Sequence, residues 1–162
     1  RPEFPRRVVH NDTKLNNVLL HQTTGKAICV VDLDTVMPGC ALHDFGDLVR
    51  TAANAADEDE TDLGKVQFLP SRFDAIVDGY LMGCQGMLIE KEIKNLAIAP
   101  VAITYELALR FLTDFLEGDV YFKTHREDHN VDRAKSQFTL MKSMLTFMEE
   151  MEDIIRTKRD LF

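Results

Sequence analysis

The sequence predicts a mainly α domain of the α+β class, with a small β-hairpin near its N-terminus. Three observations carry that reading. Two β-type runs, Val18-Leu19-Leu20 and Ala27-Ile28-Cys29-Val30-Val31, are separated by His21 to Lys26, which reads as a hairpin turn. From Asp44 onward apolar residues recur at helical spacing. No repeat or low-complexity linker divides the 162 residues, so residues 1–162 read as one domain large enough for a substantial core.

Arg7-Val8-Val9-His10 is a short apolar lead-in to a first loop, and Met37-Pro38-Gly39 reads as a turn. The first helix is expected from Asp44, its N-cap, with Leu48, Val49, Ala52 and Ala53 on one face. The acidic run Asp57 to Asp62 reads as a solvated loop, with an acidic rim for a cationic substrate as the alternative. Ser71 is the expected cap of a second helix that buries Phe73, Ile76, Val77, Tyr80 and Leu81 and ends near Gly83 and Gly86. A long helical region follows from about Lys91 to Glu117, kinked or divided at Pro100 and stopped by Gly118. The last helix is expected from about Val131 to Arg156, with Phe138, Met141, Met144, Leu145 and Met148 forming a core stripe.

Lys and Arg number 19 against 27 Asp and Glu, a net charge of −8. Such a surface repels nucleic acid and anionic membranes, and neither is expected as a partner. The most apolar stretch, Leu96 to Leu116, contains Pro100, Glu106, Arg110 and Asp114 and does not read as a membrane span. Cys29, Cys40 and Cys84 form no Cys-x-x-Cys pair and read as reduced thiols of a cytoplasmic protein. The chain opens at Arg1 without Met, and a C-terminal piece of a longer protein is the expectation.

Chemistry is concentrated early. Asp12 and Asn17 lie five residues apart, and an apolar strand downstream ends in Asp32-Leu33-Asp34. Phosphoryl transfer asks a protein for a carboxylate to take the alcohol proton, oxygen ligands for magnesium and rigid positioning. Asp12 is the candidate proton acceptor, Asn17 offers a neutral oxygen, and Asp32 offers the hard anionic ligand that Mg²⁺ prefers. A hairpin centred on Thr24-Gly25 would pair Leu20 with Cys29, Val18 with Val31 and Asn17 with Asp32. Opposed residues have Cα atoms roughly 4.5–5.5 Å apart, which suits two ligands of one ion. A looser six-residue turn would shift this register. For either residue alone the plainer reading is a polar side chain closing its own turn; the joint spacing argues against it.

Two motifs are decoys. Asp44-Phe45-Gly46 spells a kinase metal motif, yet by position Asp32 is the ligand, and Asp44 reads as a helix cap or a buttress behind the first loop. His125 and His129 lie at i and i+4 without the Glu that zinc peptidases place after the first His. His10 reads as a buried hydrogen-bonding organiser of the loop.

His10-x-Asp12-x-x-x-x-Asn17, followed by Val31-Asp32-Leu33-Asp34 and His43-Asp44-Phe45, resembles the aminoglycoside phosphotransferase and choline kinase family. The fuller wording around Asp12 and Asp32 looks closest to its N-acetylhexosamine 1-kinases. So do the segments Arg110 to Leu116 and Gly118 to Phe122. The resemblance implies the helical C-terminal lobe of a protein-kinase-like fold. It implies transfer of the ATP γ-phosphate to the anomeric hydroxyl of an N-acetylhexosamine, with Mg²⁺ as cofactor. On that reading Asp12 deprotonates the sugar, Asn17 and Asp32 hold Mg²⁺, Asp34 is a possible substrate contact, and Arg110 and Tyr121 contact the sugar. No counterpart of the family's nucleotide lobe precedes Arg1. This chain alone is therefore expected to be inactive or nearly so, and to expose apolar surface where that N-terminal lobe would pack. Rival readings keep the chemistry but change the acceptor to an aminoglycoside, a choline-like alcohol or homoserine. A rival of another class is a non-catalytic pseudokinase or binding module.

Overall fold

The structure is a computed structural model that describes residues 4–159 and Leu161. The chain's opening at Arg1 lies outside the described residues. Helical residues, short 3-10 turns included, account for 55% of the described residues, and the mainly α expectation holds. The strands are β1 (Arg7–Val9), β2 (Val18–Leu20), β3 (Ala27–Val30) and β4 (Met37–Gly39). The helices are α1 (Ala41–Ala52), α2 (Pro70–Cys84), α3 (Glu90–Lys94), α4 (Ile98–Leu116), α5 (His129–Thr146) and α6 (Met148–Arg159).

Two antiparallel ribbons frame the early loops: β1 pairs with β4, and β2 with β3. Met37-Pro38-Gly39 is thus a strand and not a turn, with Val9 opposite Met37 and Arg7 opposite Gly39. Its pairing draws the segment after Asp32 back beside the segment before Asp12. The β2–β3 hairpin also departs from expectation. Val18 faces Val30 and Leu19 faces Cys29, and an irregularity between Leu19 and Leu20 puts Leu20 opposite Ala27. The turn closes over His21 to Lys26, where the Gly25 N–H bonds to the His21 carbonyl and Gly25 takes a positive φ of 66°. A turn of that length slips the register by one, so Asn17 accepts from the Val31 N–H at 2.9 Å and does not face Asp32.

Behind the ribbons, α1 packs against α4, α4 against α5, and α2 against α6. The core is built from Phe45, Val49, Phe73, Val77, Leu140 and Met144, all fully buried. The first helix begins three residues before Asp44 and buries Leu42, Phe45 and Val49, whereas Leu48 and Ala52 are half-buried. Pro70, not Ser71, opens α2, as suits a residue that has no N–H to orphan. Gly83 stays within that helix, which ends at Cys84 before left-handed Gln85 and Gly86. The expected long helix is divided into α3 and α4, with Pro100 in the first turn of α4. Gly118, at φ 95°, follows its end. The last helix is likewise two, broken at Phe147. Met144 is fully buried and Met141 and Met148 are partly buried, but Leu145 is 48% exposed and leaves the stripe.

The acidic run is not simply solvated. Glu58 meets buried Arg50 at 2.5 Å, Asp59 meets the buried His129 ring at 2.8 Å, and Glu60 accepts from the Asp62 N–H. His129 Nδ1 accepts from the His125 N–H, which leaves Nε2 as the donor to Asp59. The histidine pair is thus a structural tie, not a metal site. All three cysteines are free thiols. Among the described residues no helix is long and apolar enough to cross a membrane.

Candidate active site

The loop from His10 to Asn17 is held by α1. Asp44 Oδ2 accepts from the His10 N–H at 2.7 Å, and Oδ1 from the Asn11 N–H at 2.8 Å. Asn11 has a positive φ of 62°, and these two bonds brace that sharp backbone turn. The Thr13 hydroxyl donates to the Asp44 carbonyl, and Thr51 Oγ1 accepts from the Leu15 N–H. Asp44 is therefore a bracket for the loop, not the helix cap.

A second set of bonds ties this loop to the one after β3. His10 is half-buried; its Nε2 donates to the Val31 carbonyl at 3.2 Å, and its buried Nδ1 has no partner. The Thr35 hydroxyl donates to the His10 carbonyl at 2.6 Å, and Asn11 Nδ2 to the Thr35 carbonyl at 3.1 Å. The residues from 10 to 17 and from 31 to 35 thus form one cross-bonded unit, although the hairpin register alone does not oppose Asn17 to Asp32.

Within that unit, the side chains of Asp12 and Asn17 meet. Asn17 is buried, and its Nδ2 donates to both the Asp12 carbonyl, at 2.8 Å, and Asp12 Oδ2, at 2.9 Å. Lys14 Nζ pairs with the same Oδ2 at 2.8 Å. Two consequences follow. Oδ1 of Asp12 accepts no hydrogen bond from the described residues, and the Asn17 amide is fixed with its Oδ1 turned away from Asp12. Asp32 has a positive φ of 61° and starts a tight turn over Leu33–Thr35. Its carboxylate and that of Asp34 are exposed and pair with no cation among the described residues.

Asp12 opens onto a cleft of about 440 Å³, with Lys14, Arg110, Tyr121, Phe122 and Arg133 among its lining residues. The sequence separates Asp12 from Arg110 and Tyr121 by about a hundred residues; the fold brings the three together. Asn17, Asp32 and Asp34 do not line that cleft. Arg110 comes from the outer part of α4, and Tyr121 from the loop that follows it. That loop is knotted to α4 by Asp114, which is 3% exposed. Asp114 Oδ1 accepts from the Tyr121 N–H at 2.7 Å and Oδ2 from the Phe122 N–H at 2.9 Å. Fully buried Asn130 donates to Asp114 and Asp119, both at 2.8 Å. On the opposite wall Arg50 is bound by Asp47 at 2.8 Å, by Glu58, and by Gln137 at 3.2 Å. A buried cation held by two carboxylates and an amide is a rigid wall and not a mobile contact. Sequence reasoning did not single out Asp114, Asn130, Arg50, Lys123 or Arg133, because none belongs to a local pattern.

Residues 1–76 match the profile of the phosphotransferase enzyme family. The chain is similar to that family over its first 76 residues. The matched stretch contains Asp12, Asn17, Asp32 and Asp44, so it spans the cross-bonded unit and the start of α1. Together with the mostly helical architecture, it supports the aminoglycoside phosphotransferase and choline kinase family and a kinase-type enzyme in general. The fold is that of a helical lobe of the kinase-like type.

Proposed function

We propose that the protein carrying this chain is an ATP- and Mg²⁺-dependent phosphotransferase acting on a sugar hydroxyl, with an N-acetylhexosamine, converted to its 1-phosphate, as the favoured acceptor. The observation that carries the reading is the shared cleft of Asp12, Arg110 and Tyr121. A carboxylate with one free oxygen stands there opposite a fork of guanidinium donors and an aromatic face. Those are the groups a sugar asks for: donors for hydroxyl and acetamide oxygens, and a ring on which its apolar face can stack.

The donor set also fits magnesium. Asn17 Oδ1 and the Asp32 carboxylate are hard oxygens without protein partners, and Mg²⁺ binds one or two carboxylates plus phosphate oxygens in preference to an all-protein cage. When bound, the ion would neutralise phosphate charge beside an acidic protein. Asp12 would take the proton from the acceptor hydroxyl, with Lys14 and Asn17 holding its other oxygen. Asp34 stands by as a further contact. The adenine and the outer phosphates would be held by a preceding lobe packed on the exposed apolar residues around β2 and β3, so the chain alone would be nearly inactive.

Phosphorylation of hexosamines, aminoglycosides and amino alcohols by the protein that carries this chain, with ATP and Mg²⁺, tests the reading. Asp12→Asn is expected to lower kcat by about 10²–10⁴ while circular dichroism stays unchanged. Unchanged turnover would remove Asp12 from the chemistry.

A further inference from the structure

Asp12 and Glu58 are the carboxylates of the 440 Å³ cleft. Lys14 is paired with the first at 2.8 Å and Arg50 with the second at 2.5 Å. Three cations remain: Arg110, Lys123 and Arg133. No carboxylate among the described residues pairs with any of them. In a chain of net charge −8, unneutralised cations gathered at one cleft are not what chance placement gives.

Their settings sharpen the point. The Arg110 guanidinium lies over the rings of Tyr121 and Phe122, 5.5 and 5.3 Å from their centroids. Arg133 lies 5.4 Å from the Phe111 centroid. A ring face orients a guanidinium without cancelling its charge, because the N–H donors radiate in the plane of the group and stay available. Arg133 Nη1 donates only to neutral oxygens, the Lys123 carbonyl at 3.2 Å and Asn130 Oδ1 at 3.0 Å, and its buried Nε has no acceptor. A partly desolvated cation with an orphan donor and no counter-ion is costly to keep. An anionic ligand would relieve that cost.

We propose that Arg110, Lys123 and Arg133 form an anion subsite on the acceptor side of the cleft, so that the preferred ligand is a sugar bearing a phosphate or carboxylate. The proposal rests on the sugar phosphotransferase reading and narrows its ligand class. A neutral N-acetylhexosamine offers these cations only uncharged hydroxyl and acetamide oxygens, whereas a hexosamine 1-phosphate or a hexuronic acid adds an anionic, bidentate acceptor for the forked donors. The aromatic faces of Tyr121 and Phe122 supply the apolar floor for the ring.

Calorimetric titration of the 162-residue chain at low salt tests this without ATP or turnover. The ligands are N-acetylglucosamine, N-acetylglucosamine 1-phosphate and glucuronic acid. At least one acidic sugar is expected to bind about tenfold tighter than the neutral one, with the gain shrinking as salt rises. A gain confined to the 1-phosphate assigns the subsite to the transferred phosphate, and a gain for glucuronic acid assigns it to an acidic acceptor; either supports the subsite. Arg133→Gln is expected to abolish the gain. Lys123→Gln, at an exposed side chain that cannot affect folding through lost bonds, is expected to reduce it. Equal binding of all three sugars, or a gain that survives both substitutions, overturns the proposal. That result would leave the phosphotransferase reading intact, since Asp12 turnover is measured separately.

Discussion

Asp114 shows how a single side chain away from the reacting atoms positions the site. Burial pushes its carboxyl up, but the N–H groups of Phe122, Tyr121 and Val120 and the Asn130 amide outweigh that and hold it below the ordinary value. A carboxyl lowered in the folded state stabilises the fold above its unfolded pKa, and that contribution fades as pH falls through the folded one. Asp114→Asn keeps the shape but sets an NH₂ group against backbone donors. The variant is expected to melt below the wild type at pH 7, with the gap closing as pH falls through and below the ordinary carboxylate range. A gap independent of pH would assign the loss to packing alone. That the side chains of Asp12 and Asn17 meet was legible because both belong to one short loop. Asp114 was not, because an Asp on an amphipathic helix looks the same whether it faces water or anchors a loop. Lys123 and Arg133 escaped for a related reason: that neither forms an ion pair with a carboxylate among the described residues is visible only in the fold.

At the scale of elements, apolar periodicity located α1, α2 and the residues of α4 and α5, because burial of one face is written directly into the spacing. Breaks were harder to read. The interruption at Phe147 has neither Gly nor Pro, and the pairing of β4 with β1 joins segments too far apart for any local rule. The hairpin register slipped because turn geometry, not strand composition, decides it. The contact between α1 and α4 sets the distance from Asp44, which brackets the Asp12 loop, to Arg110 across the cleft. Gly46 makes that contact close: a Cβ there would lie 2.8 Å from the Ala99 carbonyl oxygen and 2.8 Å from Ile103 Cγ1. Ala in place of Gly gains about 1 kcal/mol of helix propensity. Forcing a methyl against a helix backbone costs about 1–3 kcal/mol, and a carbonyl cannot swing aside like a side-chain tip. Gly46→Ala is therefore expected to be net destabilising by about 1 kcal/mol in denaturant unfolding and to weaken sugar binding by widening the cleft. A stabilised variant would show that α1 and α4 separate without cost.

For the molecule as a whole, exposed apolar side chains recur along the two ribbons and their loops as well as on the helical surface. Val8 is 79% exposed, Ile28 64% and Leu33 59%, and Leu19, Leu20 and Val30 are about half exposed. Both faces of the β2–β3 hairpin are therefore wet, and a two-stranded hairpin without a covered face is marginal in water. The main helical contacts run among α1, α4 and α5 and between α2 and α6, away from this hairpin. A preceding lobe seated on the hairpin would supply the missing face and at the same time close the nucleotide side of the Asp12 loop. Ile28 and Val30 lie on the same face by strand alternation, which makes Ile28→Lys with Val30→Lys a direct probe. In the 162-residue chain the pair should change unfolding free energy by no more than about 0.5 kcal/mol per site, the ordinary cost of a surface substitution, and should lower binding of an apolar dye. In a longer protein whose preceding lobe covers the hairpin, the same pair would drive two ammonium groups into a buried interface, at a cost of at least about 2 kcal/mol, with phosphotransferase turnover falling in parallel. Equal, small effects in both contexts would mean that nothing covers the hairpin, and the nucleotide would then have to be held by some other surface.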